Sequence, residues 1–158
     1  MHERAQEFTE RASREYDFEV EVKEFSEGTK TAEDAAAAIG CDVAQIASSI
    51  AMRAADRLVV VVTSGANRVS EEKLAEVLDL AEADVEMADA GEIKSVLGWS
   101  IGGVPPFCHD AEVPVYLDET LTEFETVWAA AGTPEAVFPI NPAELRELSG
   151  AKVADVAQ

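Results

Sequence analysis

Basic residues are scarce in this sequence. Its 158 residues include 12 Lys and Arg against 32 Asp and Glu, which gives a formal net charge of −20. So few cations form no basic stripe of the kind found on nucleic-acid-binding surfaces, and the net charge repels phosphate. The acidic residues are spread over every segment instead of forming a tail. This pattern is typical of proteins from a very salty cytoplasm, where salt near 1 M shortens the Debye length to about 3 Å.

Long hydrophobic runs and a cysteine framework are also missing. No stretch approaches the roughly 20 apolar residues of a membrane span. Residues 1–16 carry four glutamates and no apolar run, unlike a signal peptide. Two cysteines, Cys41 and Cys108, do not make a disulfide framework. We therefore expect a cytoplasmic protein. With 47% hydrophobic residues, the chain predicts one domain over residues 1–158, of which residues 1–17 form an N-terminal helical extension.

The spacing of apolar residues predicts helices and strands in an irregular order. Helices are expected at 2–16, 32–39 (after the cap Thr31), 71–80, 90–97 and from 142 onward. Strands are expected at 19–25, 46–53, 57–63, 113–117, 126–131 and 136–140, with a turn at 28–30. The apolar run at 58–62 indicates a fully buried central strand. Because the order lacks regular βαβ alternation, the expected fold class is α/β of the α+β kind, a mixed β-sheet flanked by helices.

Residues 98–109 carry the most unusual pattern in the chain, GWSIGGVPPFCH. The first five letters match the G-x-S-x-G nucleophile elbow, but that motif needs a strand before the serine and a helix after it. Here a predicted helix precedes the serine and a Gly-Gly-Val-Pro-Pro run follows, so we disfavour the elbow. No phosphate-binding glycine motif is present either.

Metal binding and cysteine catalysis fit the same segment poorly. The spacing of Cys41, Cys108, His2 and His109 matches no zinc pattern. Cys108 and His109 are neighbours, and neighbouring side chains of an extended chain point to opposite faces, so they do not form a nucleophile–base pair. Two interpretations of residues 102–106 remain open. The glycines let a ligand approach the main chain and leave N–H groups free for an oxyanion, or the segment is simply a tight turn.

Several segments together resemble the YbaK/EbsC family of aminoacyl-tRNA deacylases, which is related to the editing domain inserted in bacterial prolyl-tRNA synthetases. The segments are Thr31-Ala32 with the alanine-rich helix, Gln45-Ile46, Lys73-Leu74, residues 101–107 (IGGVPPF), residues 137–140 (VFPI), and Leu145 followed by residues 151–156 (AKVADV). The span 102–106 matches the family's G-x-x-x-P loop. The resemblance extends from about Thr31 to the C-terminus.

The resemblance implies hydrolysis of the ester of a mischarged tRNA, by analogy a small amino acid on the proline tRNA. It implies aminoacyl-tRNA as the partner, with no metal and no organic cofactor. The lack of an apolar span and of a basic stripe predicts no membrane and no DNA as partners, and a homodimer is compatible with the sequence. The implied catalytic set is the backbone of Gly102, Gly103 and Val104 together with Ser48. The implied substrate-binding residues are Thr31, Ile46, Ser49, Arg53, Lys73, Pro106, Phe107 and His109.

The sequence departs from the family at two positions. Members commonly carry a lysine where this chain has Ser48, so a cation facing the cleft is replaced by a neutral hydroxyl. Arg53, Arg57, Lys30 or Lys73 are candidates to supply charge from elsewhere. Cys108 stands where the family usually has glycine. The loss of the lysine motivates an alternative function, a non-catalytic module that binds a tRNA 3′ end or an aminoacyl-like small molecule. A general esterase is disfavoured because no catalytic triad is present.

Overall fold

A computed structural model of the chain describes residues 2–25 and 31–158. The helices are α1 Glu3–Tyr16, α2 Ala32–Ile39, α3 Glu71–Leu78, α4 Ala90–Leu97 and α5 Pro142–Ser149. The strands are β1 Lys23–Glu24, β2 Ile46–Ala54, β3 Arg57–Ser64, β4 Val85–Met87, β5 Val115–Asp118, β6 Val127–Ala130, β7 Ala136–Ile140 and β8 Lys152–Ala154. The turn predicted at 28–30 lies outside the described residues.

The strands form one mixed sheet in the order β1-β7-β6-β2-β3-β5-β8, and β4 pairs with β2 outside this path. The pairs of β2 with β3, β2 with β4, β6 with β7 and β1 with β7 are antiparallel. The pairs of β2 with β6, β3 with β5 and β5 with β8 are parallel. The predicted fold class, a mixed sheet flanked by helices, is confirmed. None of the helices in the described part of the chain is long and apolar enough to cross a membrane.

Strand β3 is a buried interior strand of the sheet, between β2 and β5, as its apolar run predicts. Residues 58–62 are each at most 3% exposed, because helices and loops cover both faces of the sheet here. One face packs against α3 through Leu74 and Ala75, and the other belongs to the larger core that contains Phe8 and Phe138. A strand that is apolar at every position can bury its side chains on both faces only where both faces of the sheet are covered.

Strand β2 has one complete edge and one interrupted edge. On one side, residues 47–54 pair with β3 without a break. On the other side, β6 pairs only with Ile46 and Ala47, and β4 pairs only with residues 52–54. Among the strands that the described residues form, none pairs with residues 48–51 on this second side. The interruption opens a gap in the sheet between β6 and β4.

Helix α1 is part of the core. Ala5, Phe8 and Ala12 recur at helical spacing and are 0% exposed. The ring of Phe8 contacts three aromatic rings from distant segments, with centroid distances of 6.2 Å to Trp99, 5.5 Å to Phe107 and 5.0 Å to Phe138. Helix α1 therefore covers one face of the sheet and also contacts the unusual segment 98–109.

Most predicted elements agree with the structure, and the differences have physical causes. Thr31, Ser70 and Asn141 cap their helices through side-chain oxygens, as expected. The predicted strand 19–25 forms ladder pairs only at Lys23 and Glu24, which lie opposite Val137 and Ala136 of β7. Its apolar residues still pack against the core. The strands β4 and β8 were not predicted, since each has only three residues and mixes charged with apolar side chains.

We expect Phe8→Ala to lower the free energy of unfolding by about 3–5 kcal/mol, because it leaves a cavity among three aromatic rings. Denaturant unfolding in molar KCl measures the change. Glu10→Ala is the matched control, since Glu10 is exposed on the same helix, and it should change the free energy of unfolding by less than about 0.5 kcal/mol. A small effect of Phe8→Ala would show that α1 contributes little to the core.

Candidate active site

A cavity of about 260 Å³ lies in the gap beside β2. Three elements form its walls: residues 46–51 of β2, the first turn of α2 with Thr31, and the loop residues Ile101, Gly102 and Val104. Trp128, Ala130, Pro134 and Val137 close the side formed by β6 and β7, while Ile93 and Met87 close the opposite side. Among the described residues that line it, none has a titratable side chain. The chemistry of this cavity therefore rests on backbone groups and hydroxyls.

The loop at the cavity begins with a tight turn over residues 100–103. The N–H of Gly103 donates to the carbonyl of Ser100 at 3.0 Å. The third residue of the turn, Gly102, has a φ of +86°, as a type II turn requires at this position. A Cβ on Gly102 would also lie 3.3 Å from Pro134 Cγ. Glycine at 102 is thus explained both by backbone conformation and by a close neighbour.

Of the three backbone N–H groups expected as donors, those of Gly102 and Val104 have no acceptor within residues 2–25 and 31–158. Val104 is only 3% exposed, and a buried N–H without a partner is rare unless it serves a ligand. Gly103, which was expected to contribute a third donor, is already bonded to Ser100 and does not line the cavity. Its role is packing, because a Cβ there would lie 2.7 Å from the Cα of Thr133.

Hydroxyl groups of β2 line the other side of the cavity. Ser48 and Ser49 both line it, and Oγ of Ser49 is buried with no hydrogen-bond partner in the part of the chain that the structure describes. Thr63 of β3 lies directly opposite Ser48 in the ladder, and its Oγ1 is likewise buried without a partner. Buried hydroxyls normally find partners, so these two are available for a bound ligand.

The segment 98–109 is held at several points away from the cavity. The N–H of Asp110 donates to the carbonyl of Leu97 at 3.0 Å, which closes the base of the loop. Trp99 Nε1 donates to the carbonyl of Cys108 at 2.9 Å, and Arg4 of α1 donates to the carbonyl of Gly98. Nε2 of His109 donates to the carbonyl of Pro105 at 2.8 Å. These bonds fix the direction of the chain through Val104.

His109 and Cys108 serve this loop as structural groups. Burial lowers the pKa of His109 below its ordinary value, although the bond to Pro105 opposes the shift. The imidazole is therefore neutral near pH 7. Burial raises the pKa of the Cys108 thiol to about 12, so almost no thiolate forms at neutral pH. Neither residue lines the cavity beside β2. No group of three metal-ligating side chains occurs in the described part of the chain.

Residues 26–148 match the sequence model of the aminoacyl-tRNA editing domain. The chain belongs to this family. The resemblance carried by the glycine–proline loop is thereby confirmed. The editing domain is also 34% identical over 138 residues to the uncharacterized protein YwhH of Bacillus subtilis (strain 168), covering 85% of both chains.

Two further similarities concern proteins with a described role. The chain is 32% identical over 111 residues to a proline–tRNA ligase of Lactobacillus helveticus (strain DPC 4571), covering 70% of this chain and 19% of that enzyme. It therefore spans about a fifth of the synthetase. A solved structure described as a candidate trans-editing enzyme for prolyl-tRNA synthetase superimposes with a TM-score of 0.92 at 34% identity, covering 100% of this chain and 99% of that one.

The structure brings about half of the expected site residues of this editing domain together. Thr31, Ile46, Ser48, Ser49, Gly102 and Val104 line the cavity. The others lie elsewhere: Gly103, Arg53, Lys73, Pro106, Phe107 and His109. Arg53 forms an ion pair with Glu92 at 2.9 Å, and Lys73 forms one with Asp155 at 3.0 Å. Phe107 is 2% exposed and packs among the aromatic rings of the core.

Sequence reasoning missed the cavity walls contributed by β6, β7 and β4, chiefly Trp128, Ala130, Pro134 and Met87. These residues belong to segments that lie 30 to 90 positions from Ser48 in the sequence. No motif marks them. In the structure Met87 stands out among them as a large apolar side chain that remains 56% exposed. Such exposure can be seen only in the folded chain.

We expect iodoacetamide at about pH 8 to leave Cys108 unmodified in the folded protein, because its thiol is buried and protonated. Cys41 is half-buried and should react slowly. Mass spectrometry of peptides from native and urea-unfolded protein counts the modified sites. Both cysteines should react after unfolding, which serves as the internal control. Rapid native labelling of Cys108 would contradict its placement in the core.

Proposed function

We propose that this editing domain hydrolyses the ester bond of a mischarged aminoacyl-tRNA, by analogy one that carries a small amino acid on the proline tRNA. The observation that supports the proposal is the pair of unbonded N–H groups at Gly102 and Val104, beside a cavity of about 260 Å³. Backbone donors held by a rigid loop are suited to stabilising an oxyanion, because they need no rearrangement when the charge appears.

In the proposed reaction, a water molecule attacks the carbonyl carbon of the ester. The carbonyl oxygen becomes an oxyanion, which accepts hydrogen bonds from the N–H groups of Gly102 and Val104. The bond between the carbonyl carbon and the ribose oxygen then breaks, and the ribose oxygen takes the proton that the water loses. The products are the free amino acid and a tRNA with an intact 3′ end.

In this reaction the proton is transferred by groups of the substrate and by neutral hydroxyls of the protein. The described residues that line the cavity include no His, Asp, Glu, Lys or Cys to act as general base. The neighbouring ribose hydroxyl of the substrate lies close to the ester by covalent structure, and Ser48 and Ser49 offer hydroxyls that can orient water. Such a site accelerates the reaction by positioning the ester and the water, while its own side chains neither give nor take a proton.

The wall of the cavity is suited to the apolar part of an acyl group. Ile46, Val104 and Trp128 are apolar and face the space between β2 and the loop. The choice of a small amino acid follows from the family analogy. The similarity to proline–tRNA ligases points to the same tRNA for the remainder of the substrate.

The residues that line the cavity also support a second candidate function. Because Ser48 stands where the family has a cation, and no described residue that lines the cavity has a titratable side chain, the cavity also suits a module that binds the aminoacyl end without hydrolysing it. The two functions are separated by incubating the protein in molar KCl with a panel of mischarged tRNAs. Release of the amino acid from one or a few of them supports hydrolysis. Tight binding without release supports the binding module.

We expect Gly102→Ala to lower kcat for deacylation by about 10²–10³-fold, the usual effect of losing one oxyanion donor. The added Cβ forces φ away from +86° and contacts Pro134, which displaces the N–H of residue 102. Single-turnover deacylation of mischarged tRNA measures the effect.

Gly40→Ala is the matched control for this experiment. Gly40 has the same φ of +86° at the end of α2, but a Cβ there meets no atom within 4 Å. Both variants introduce similar backbone strain, of about 1–2 kcal/mol. Equal activity of the two variants would show that the loop does not supply the oxyanion donor.

We expect Ser48→Lys to raise kcat/KM for deacylation by about tenfold or more, because a charge-assisted hydrogen bond is worth about 1.5–3 kcal/mol. The lysine would place a cation on the wall of the cavity, where it stabilises the developing oxyanion. Ser95→Lys adds the same charge at an exposed position of α4 and should have no effect. A fall in activity for Ser48→Lys with unchanged stability would indicate that the hydroxyl itself takes part.

A further inference from the structure

Helix α1 contacts both ends of the loop that carries the unbonded N–H groups. Arg4 donates to the carbonyl of Gly98, the residue at which the loop begins. Two helical turns further along, Nη1 of Arg11 lies 3.0 Å from Oδ1 of Asp110, and the N–H of Asp110 closes the base of the loop. Residues seven positions apart lie on the same face of a helix. One face of α1 therefore contacts the beginning and the end of the loop.

Both arginines also lie over the indole ring of Trp99. The guanidinium carbon of Arg4 is 4.2 Å from the centroid of the ring, and that of Arg11 is 5.7 Å from it. A cation at this distance is attracted by the electrons of the aromatic face. Because Trp99 Nε1 donates to the carbonyl of Cys108, the ring connects the two arginines to a third point of the loop.

The first turn of α1 also packs closely against the segment 131–135. A Cβ on Gly132 would lie 2.6 Å from the carbonyl oxygen of Arg4 and 2.9 Å from Cζ3 of Trp99. Gly132 has a φ of +94°, so both its conformation and its surroundings require glycine. Arg4 therefore contacts two segments at once, the start of the loop and the segment 131–135.

The segment 131–135 packs in turn against the tight turn that presents the donors. A Cβ on Gly103 would lie 2.7 Å from the Cα of Thr133, and one on Gly102 would lie 3.3 Å from Cγ of Pro134. Closely packed groups transmit a displacement, because no free space absorbs it. A shift of the first turn of α1 would therefore reach the donors from two directions, through the loop itself and through this segment.

The use of two arginines at one ring is notable in a chain so poor in cations. The chain has only 12 Lys and Arg. The side chain of Arg4 is 32% exposed and that of Arg11 only 16%, and removing a guanidinium from water is unfavourable unless it is hydrogen-bonded. Helix α1 also precedes residues 26–148, the part that matches the family model. The matched residues therefore do not include the arginines that contact the loop.

We propose that Arg4 and Arg11 are positioning residues, which hold the N–H groups of Gly102 and Val104 where they stabilise the oxyanion. Neither arginine lines the cavity beside β2, so neither contacts the substrate there. Arg4 fixes the start of the loop, Arg11 fixes its end, and Trp99 connects them. The inference rests on the proposed function for its chemistry, whereas the placement of the loop can be measured without any reaction.

The placement of the donors is measured from the amide signals of ¹⁵N-labelled protein in molar KCl. Arg4→Met and Arg11→Met keep an apolar side chain of similar length and remove the cation together with its hydrogen bonds. We expect each variant to shift the amide signals of Gly102 and Val104. The amide signal of Gly40, at the end of α2, should stay in place.

Arg14→Met is the matched control for these spectra. Arg14 belongs to the same helix, but its side chain is 71% exposed and its one ion pair, with Glu15, spans 3.6 Å. This variant should leave the amide signals of Gly102 and Val104 unchanged. If the Arg4 and Arg11 variants shift these two signals no more than Arg14→Met does, the proposal is wrong.

Deacylation kinetics show whether the placement matters for the reaction. We expect Arg4→Met to lower kcat by about 10–10²-fold, because a displacement of about 1 Å at a reacting group has an effect of this size. KM for the mischarged tRNA should change little, since the cavity walls keep their residues. Arg4→Lys should recover part of kcat, because its ammonium group can donate to the carbonyl of Gly98 and lie over Trp99.

Leu74→Ala is the control for a loss of stability alone. Leu74 is 0% exposed and belongs to the core on the α3 face of the sheet, whereas Arg4 contacts the other face. The variant should lower the free energy of unfolding and leave kcat unchanged at a temperature where every variant is folded. If kcat falls no further in Arg4→Met than in Leu74→Ala, Arg4 only stabilises the fold and the proposal is overturned.

The spectra and the kinetics together separate this inference from the proposed function. Shifted amide signals of Gly102 and Val104 in a protein that hydrolyses no mischarged tRNA support the positioning of the loop and contradict the proposed hydrolysis. Unchanged signals in an active protein overturn the inference and leave the proposed hydrolysis standing. Shifted signals with an unchanged kcat show that the arginines hold the loop without serving the reaction, which also overturns the inference.

Discussion

The interrupted edge of β2 is the constraint on which the candidate site depends. A continuous sheet would pair residues 48–51 on both sides and leave no space between them. Here β6 leaves the ladder after Ala47 and β4 joins it only at Met52, so one strand carries a complete edge and an open one. Strand edges inside a folded domain must be satisfied or covered. In this protein the glycine–proline loop covers the opening without closing it, and the cavity is the space that remains.

The loop can cover the gap because its own hydrogen bonds are made elsewhere. Its base is closed by Asp110 and Leu97, its exit is held by Trp99, and the carbonyl of Pro105 is held by His109. The tight turn at 100–103 uses the N–H of Gly103, which leaves the neighbouring N–H groups of Gly102 and Val104 unbonded within the described chain. A loop anchored in this way keeps its donors in place before substrate arrives, which is the condition for electrostatic stabilisation of an oxyanion. Helix α1 adds to this rigidity because Arg4 and Phe8 contact the same segment.

The charge of the protein and the neutrality of its cavity are consistent with each other. With a net charge of −20, the surface repels the phosphates of tRNA unless salt screens the repulsion. The cavity beside β2 contributes neither attraction nor repulsion, since no charged side chain lines it among the described residues. Recognition must therefore depend on shape, hydroxyls and the few cations that are not paired with carboxylates. Arg68 is one of these within the described part of the chain.

The sequence by itself determined the local structure and the family. Thr31, Ser70 and Asn141 mark helix starts because a capping side chain acts on N–H groups two or three residues away, and the run at 58–62 marks the central strand because it is apolar on both faces. The loop IGGVPPF indicated the family and suggested an oxyanion site. Only the tertiary structure decided which donors are free. In the structure the N–H of Gly103 is bonded within the loop, Arg53 and Lys73 form ion pairs, and Phe107 lies in the core. Trp128, Pro134 and Met87 line the cavity, although no sequence pattern marks them. The physical reason is that a strand edge, an ion pair or the partner of a backbone N–H is set by groups far away in the sequence, whereas a helix cap or a buried strand is set by its own few residues.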